Sequence, residues 1–364
     1  MKDQIKVNLG ENSYSVIWQD LILSLKKDIE KFTEGRKTAV ITNTKIYGIY
    51  KKEINNLFKN SLLIILPDGE KTKRIKTIEE ISEKLLKENF NRDSLLIAFG
   101  GGVIGDITGF AASIYARGIS FVQVPTTLLA MVDSSVGGKT GVNLSQGKNM
   151  AGTFYQPKAV FICCEFLKTL PKREINCGLA EAVKSALIMN KVFFSFLEKN
   201  VENILNKNIN IMNLLSKESV LVKAAVVEKD EKENLLRGIL NLGHTLAHAI
   251  ESWYNYKYIN HGEAVSIGLS FAAFFSYRQG ILEEKKYHRI IDILTNLKLN
   301  KNISNLPGQK KPKAEELLEL MKKDKKNKKE EIYFVMLKDI GQYLLPKPVE
   351  SKKLFLALKE FYKL

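Results

Sequence analysis

The chain is short of the residues on which several functional classes depend. Its 364 residues include three cysteines, Cys163, Cys164 and Cys177, with no C-x-x-C pair. That excludes a disulfide framework and leaves the thiols to pack as small apolar groups in a reducing compartment. No stretch approaches the ~18 consecutive apolar residues of a membrane-spanning helix. The longest apolar runs, such as Leu62–Leu66, are strand-sized, so no membrane partner is expected. The opening Met1-Lys2-Asp3-Gln4-Ile5-Lys6 has no apolar signal-peptide core behind it, and the expected location is the cytoplasm. Basic residues are not arranged in a stripe with interleaved aromatics, so nucleic acid is not an expected partner despite a net charge of +16. No internal repeat is visible.

The composition itself, 45% hydrophobic and 26% charged, excludes disorder over the whole chain. At roughly 150 residues per domain, the length suggests two domains. The excess of 56 Lys and Arg over 40 Asp and Glu fits either a solvated lysine surface or small anionic substrates.

Alternating patterns fill the first half. Strands are expected at Lys37–Asn43, Ser61–Leu66, Ser94–Phe99 and Phe121–Val124, with helical periodicity over Ile75–Glu88. Continuous apolar strands separated by helices imply a parallel sheet covered on both faces. From about Leu170-Pro171 the pattern turns helical, over Glu174–Leu197, Ile211–Glu228, Asn241–Trp253 and Gly262–Arg278. A small hairpin is expected from Glu331–Leu337 and Gln342–Leu345, then a closing helix from Ser351. The fold class is therefore an α/β N-terminal domain with a parallel-type sheet (1–170) and a mainly α-helical C-terminal domain (171–364). A cleft between two such domains is a favoured ligand position.

Gly100, Gly102 and Gly105 fit G-x-G-x-x-G between an expected strand and an expected helix, where bare backbone admits a pyrophosphate to a helix N-terminus. The loop follows the third expected strand, not the first, and no acidic residue stands ~20 positions later as in the dinucleotide fingerprint. A plain strand-to-helix turn has the same pattern. Gly138-Lys139-Thr140 resembles the end of a P-loop, but the first glycine would fall at Asp133, and no helix pattern follows. Lys139 and Lys148 lie in glycine-rich segments expected to be turns, suited to an anion or simply exposed.

Of four histidines, three lie between His244 and His261. His244 and His248 share one helical face. Glu181 stands among apolar and small neighbours, where a lone carboxylate is costly unless paired or bound to a metal. Two histidines and a carboxylate would make a catalytic zinc set; a satisfied core histidine pair with an unrelated glutamate fits the same spacing. His288 reads as a surface residue.

In order along the chain, Pro67-Asp68-Gly69-Glu70, GGGVIGDITGF from Gly100, Gln123 through Ser135, GGKTGVN from Gly137, Gly147-Lys148-Asn149, Phe166 through Pro171, the Glu181 helix, Asn241 through His244 and His261-Gly262-Glu263 resemble the 3-dehydroquinate synthase family of sugar-phosphate cyclases. The resemblance implies an NAD-binding α/β domain, a helical metal-binding domain, a homodimer, and Zn²⁺ or Co²⁺ on Glu181, His244 and His261. It places NAD⁺ contacts on Asp68, Gly69, Glu70, Lys71, Thr72 and Lys73. Gly102, Val103, Ile104, Gly105 and Asp106 follow, then Thr126, Thr127, Lys139 and Lys148, and finally Phe166, Leu167, Lys168 and Thr169. Substrate contacts fall on Asp133, Asn149, Lys184, Lys223, Arg237, Asn241, His248 and Lys326, while Arg117 would reach the neighbouring subunit's phosphate site.

The implied substrate is a small anionic sugar phosphate, 3-deoxy-D-arabino-heptulosonate 7-phosphate, whose carboxylate and phosphate suit several lysines and Arg237. The implied chemistry is transient oxidation by NAD⁺, phosphate elimination, return of the hydride, ring opening and an intramolecular aldol closure to 3-dehydroquinate. His248 is the favoured proton shuttle. Rival readings are a cyclase for sedoheptulose 7-phosphate or glucose 6-phosphate, and a metal-dependent NAD polyol dehydrogenase. A basic nucleic-acid-binding protein ranks last. A neutral polyol would need no such set of lysines and arginine.

Overall fold

The computed structural model describes residues 3–234, 236–323 and 331–364. The chain divides into two compact units, Met1–Pro171 and Lys172–Leu364.

In the first unit the strands are β1 (Gln4–Val7), β2 (Tyr14–Trp18), β3 (Thr38–Asn43), β4 (Leu62–Leu66), β5 (Leu95–Gly100), β6 (Ser120–Pro125), β7 (Lys139–Leu144), β8 (Gly147–Phe154) and β9 (Ala159–Ile162). The helices are α1 (Leu25–Thr33), α2 (Thr44–Leu57), α3 (Ile75–Lys87) and α4 (Gly102–Ile114). Seven strands form one sheet in the order β1-β2-β9-β6-β5-β3-β4. Every pairing is parallel except the β1–β2 edge. All six residues of β5 are buried, as a central strand covered on both faces requires. On one face, Ile78, Ile81 and Leu85 of α3 and Ile104 and Ile107 of α4 pack on Ile41, Ile64 and Ala98. Alternation along the strand sends Phe99 to the other face, where it meets Tyr50, Phe58 and Phe166 edge-on.

Apart from the N-terminal β1–β2 hairpin, β4-β3-β5-β6-β9 follows a 2-1-3-4-5 order, so the winding reverses between β3 and β5. Ligands of such sheets bind beyond the carboxyl ends of the strands at that reversal. The glycine loop follows the third strand of that set for this reason: β5 borders the switch point. The edge hairpin β1–β2 and β9 carry no signal long enough to read from the sequence.

The second unit contains α5 (Lys172–Met189), α6 (Lys191–Lys199), α7 (Val201–Leu205), α8 (Ile209–Val227), α9 (His244–Trp253), α10 (His261–Arg278), α11 (Glu284–Asn296), α12 (Ala314–Lys322), β10 (Glu331–Asp339), β11 (Gln342–Glu350) and α13 (Ser351–Phe361). Helix α10 is buried nearly all round. The single helix expected over Glu174–Leu197 is two, broken at Asn190, whose side chain accepts from Phe193 N and caps α6. The helix expected from Asn241 starts at His244. Asn241 ends a 3₁₀ stretch, and Gly243 takes a left-handed φ of +79° that L side chains rarely adopt. The hairpin β10–β11 runs longer than expected because Pro346 and Pro348 in β11 hide a strand. All three cysteines are buried, and none is in a disulfide. Among the described residues, no helix is long and apolar enough to cross a membrane.

Candidate metal centre and nucleotide-binding loops

Three helices of the second unit converge through glycines. A Cβ on Gly262 would lie 2.2 Å from Cys177 Cα of α5, and one on Gly268 would lie 2.0 Å from the Gly243 carbonyl oxygen at the start of α9. Backbone therefore meets backbone where α10 passes its two neighbours. The Cys177 thiol also accepts the Gly262 N–H at 3.2 Å. This close approach gathers Glu181 from α5, His244 from the first turn of α9 and His261 from the first turn of α10, with one ligand atom of each within 4.8 Å of the others.

Glu181 is 1% exposed, and its Oε1 lies 3.4 Å from His244 Nε2 and 3.2 Å from His261 Nε2. Its Oε2 is ion-paired with Lys184, one helical turn on. Burial and the Lys184 ammonium hold His244 down to about 4, so this imidazole is neutral at pH 7. Its Nδ1 lies 3.2 Å from the Leu242 carbonyl, which only accepts, so Nδ1 carries the proton. The Nε2 lone pair then points at a carboxylate oxygen, an arrangement that calls for a cation. Burial opposes the charged form of His261, but the Glu181 and Glu251 carboxylates outweigh it and raise this ring to about 10. Burial likewise opposes ionised Glu181, yet the Lys184 ammonium and the His261 ring hold its carboxyl well below the usual range. The donors are two imidazole nitrogens and one carboxylate oxygen, buried and mutually close. They fit a zinc-type ion with a position left for substrate.

Lys184 lies beside the centre, and Lys223 and Arg237 are further buried cations of the same unit. Arg237 donates from Nη1 to the Glu231 carbonyl at 2.6 Å, and its backbone N–H is held by Asp230 Oδ2 at 2.9 Å. His248 is exposed on α9 with its ring edge-on to His244, centroids 5.4 Å apart. Asn241 is half-buried just before Gly243. Lys326 lies outside the described residues. His288 is exposed, 3.8 Å from Glu284.

In the first unit, the segments expected to contact NAD⁺ mostly follow the carboxyl ends of parallel strands: Asp68–Lys73 after β4, Gly102–Asp106 after β5, Thr126 and Thr127 after β6, Phe166–Thr169 after β9. The glycine loop is tight for a reason. A Cβ on Gly101 would sit 2.9 Å from Thr127 Cγ2, and one on Gly105 would sit 2.7 Å from Gln123 Oε1. Thr126 N–H donates to the Gly100 carbonyl at 2.9 Å, which locks the Thr126-Thr127 pair beside the N-terminus of α4. Val103 and Ile104 form its first turn. Asp133 lies in a π-helical turn whose next residue, Ser134, has its Oγ 3.0 Å from where a Gly102 Cβ would stand. Thr169 Oγ1 is hydrogen-bonded to the Tyr50 hydroxyl of α2, which fixes the Phe166–Thr169 turn, with Leu167 buried and Lys168 reaching Glu165 at 3.1 Å.

Lys139 and Lys148 are not in turns; they stand on the two strands of the β7–β8 hairpin. The glycines there serve strand approach: a Cβ on Gly152 would meet the Thr140 carbonyl oxygen at 2.1 Å. The hairpin is tied to the Asp68–Lys73 segment. Buried Lys73 donates to Asp106 and to Asn149, and Lys148 lies 3.9 Å from Glu70. Asn143 donates from Nδ2 to Glu70 at 2.8 Å, accepts the Asn149 N–H at 2.9 Å, and donates its own N–H to the Lys73 carbonyl at 2.9 Å. Arg117 stands apart from this group, at the opposite end of α4 from Gly102. Ala116 (φ +48°) and Arg117 (φ +66°) are both left-handed there, and both are exposed.

Four residues with no motif of their own belong to these sites. Asn43 caps α2 and donates to Asp68 at 2.7 Å. Asn143 ties Glu70 to the Asn149 and Lys73 backbone and Asp230 holds the Arg237 N–H, contacts that no residue pattern marks. Glu251 had a legible signal: it falls seven residues after His244, on the same face of α9.

The chain combines a doubly wound parallel sheet with a helical unit that carries a His-His-Glu cluster. Its fold matches 2-deoxy-scyllo-inosose synthase, solved with carbaglucose-6-phosphate, NAD⁺ and Co²⁺, at a TM-score of 0.88 and 24% identity over 98% of this chain and 100% of that one. A second match is 2-epi-5-epi-valiolone synthase from Streptomyces hygroscopicus subsp. jinggangensis, with NAD⁺ and Zn²⁺ bound, at 0.87 and 24%, over 98% of each. The sequence narrows the class. Residues 63–177 match the profile of the 3-dehydroquinate synthase N-terminal region and residues 178–327 that of its C-terminal region. The 3-dehydroquinate synthase of Dictyoglomus thermophilum is 42% identical over 98% of both chains. The chain belongs to the 3-dehydroquinate synthase family.

Proposed function

We infer that the chain converts 3-deoxy-D-arabino-heptulosonate 7-phosphate to 3-dehydroquinate and inorganic phosphate, a lyase step of the shikimate pathway, with NAD⁺ and a divalent ion, zinc or cobalt. The observation that carries this reading is the convergence of Glu181, His244 and His261 beside the buried Lys184, in a chain whose two halves both match the family.

Bound NAD⁺ supplies a reversible oxidation of a ring hydroxyl, which acidifies the neighbouring C–H for loss of phosphate. The ion, held by Glu181, His244 and His261, supplies Lewis-acid polarisation of substrate oxygens. The protein's own residues bind and orient. The N-terminus of α4, with the bare Gly102–Gly105 backbone, receives a pyrophosphate, and the Asp68–Lys73 and Phe166–Thr169 segments flank it with Thr126, Thr127, Lys139 and Lys148. Lys184, Lys223 and Arg237 hold the carboxylate and phosphate of the substrate, with Asn241, Asp133, Asn149 and Lys326 as further contacts. His248, exposed beside His244, relays the proton.

The protein works as a homodimer in the cytoplasm. Ile114, Leu144, Met150 and Phe154 are exposed at the C-terminal end of α4 and on the β7–β8 hairpin, which a Thr153–Ser113 hydrogen bond of 2.9 Å joins. Arg117 sits at that same end of α4, away from its own chain's strand-end cluster. A second subunit covering this face would receive it.

The test is phosphate release from 3-deoxy-D-arabino-heptulosonate 7-phosphate with substoichiometric NAD⁺ and added Zn²⁺, following NADH absorbance in parallel. Many phosphates per NAD⁺, no build-up of NADH and abolition by a chelator are expected. Release from sedoheptulose 7-phosphate or glucose 6-phosphate alone would assign another cyclase. Accumulation of NADH from polyols without phosphate release would assign a dehydrogenase.

A further inference from the structure

The centre contains a second buried carboxylate. Glu251 is 6% exposed, and its Oε1 lies 3.4 Å from Nδ1 of His261. That imidazole thus stands between two carboxylates, with Nε2 toward Glu181 at 3.2 Å and Nδ1 toward Glu251. Neither burial nor position favours an acid at 251. Burial disfavours the charge. The residue also lies in the last turn of α9, where the helix dipole disfavours anions. What does favour a carboxylate here is the ring N–H of His261. The two histidines of the centre are held differently: His244 by a neutral backbone carbonyl, His261 by a full negative charge. A charged acceptor fixes the tautomer and makes the opposite nitrogen a better donor to a metal.

We propose that Glu251 is a positioning residue of the metal centre, accepting the Nδ1 proton of His261 so that its Nε2 lone pair faces Glu181 and the ion. This rests on the metal reading of the site. The test uses the full-length protein with Glu251→Gln, which keeps the shape and removes the charge, and with Glu251→Ala. Zinc affinity is measured by competition with a chromophoric chelator. Affinity is expected to fall about 10- to 100-fold in both variants, with NAD⁺ affinity and the thermal midpoint of the metal-free protein close to parental. In the zinc-loaded parent, the His261 ring N–H proton should give an exchange-protected NMR resonance that moves upfield in Glu251→Gln.

Parental zinc affinity in Glu251→Gln overturns the proposal. A loss of zinc affinity accompanied by lower NAD⁺ affinity and a lower midpoint also overturns it, because the residue would then be merely structural. His244→Ala in the same assay separates the two levels. If that variant also binds zinc at parental affinity, the metal reading fails and takes this proposal with it.

Discussion

His244 and His261 present neutral and protonated imidazoles to the same Glu181 oxygen, and the difference comes from their neighbours: Lys184 near one, a second carboxylate near the other. A divalent ion bound here would supply the positive charge that His261 carries without it. His244→Ala should therefore lose both bound zinc and turnover, while His288→Ala, whose ring is exposed on α11, should keep both near parental. Elemental analysis of the two purified variants alongside phosphate release checks this; equal zinc contents would sink the assignment. At this scale the sequence was legible where residue types are scarce. With only four histidines, a pair four residues apart is conspicuous. Glu251 is in register with His244, but glutamates are common, and the contacts of Asn43 to Asp68 and of Asn143 to Glu70 join distant segments with no spacing signature.

Among elements, the geometry of the centre depends on positions with no side chain. Gly268 faces the Gly243 carbonyl and Gly262 faces Cys177 Cα, so α10 lies closer to α9 and α5 than any larger residue allows. Gly268→Ala must push backbone away from backbone. A loss of about 1–3 kcal/mol or more is expected, seen as a lowered thermal midpoint together with weakened zinc binding. A variant with parental values for both would show that the helices yield without disturbing the ligands. The regular parts of the sheet were readable, because buried parallel strands are apolar throughout. The break at Asn190, the late start of α9 and the β7–β8 hairpin were not. A capping side chain, a left-handed glycine and glycines needed for strand contact all resemble something else in a linear pattern. The topological switch between β3 and β5 explains the departure of the glycine loop from the usual fingerprint, and only strand order reveals it.

For the whole molecule, a net charge of +16 accompanies a substrate with a carboxylate and a phosphate, and the buried lysines and arginine account for a small part of that excess. The rest is surface charge, for which the structure offers no specific explanation. Assembly is more informative. If Arg117 serves the partner's site, a heterodimer of Arg117→Ala and His244→Ala subunits contains one complete site, formed by the metal centre of the first and the arginine of the second. Co-expressed and purified through two different tags, it should recover activity that both homodimers lack. No recovery would place Arg117 in its own subunit's site.

The cysteines have a practical consequence. All three are buried, and burial pushes the Cys163 thiol up to about 12 and that of Cys177 higher still. Thiolate, the form that reacts with maleimides and iodoacetamides, is therefore scarce in the folded protein at neutral pH. Two cysteines introduced on exposed strands or helices of one unit would be the preferred attachment points for a pair of fluorophores or spin labels. Distances within each unit could then be followed through the catalytic cycle without first stripping the native thiols.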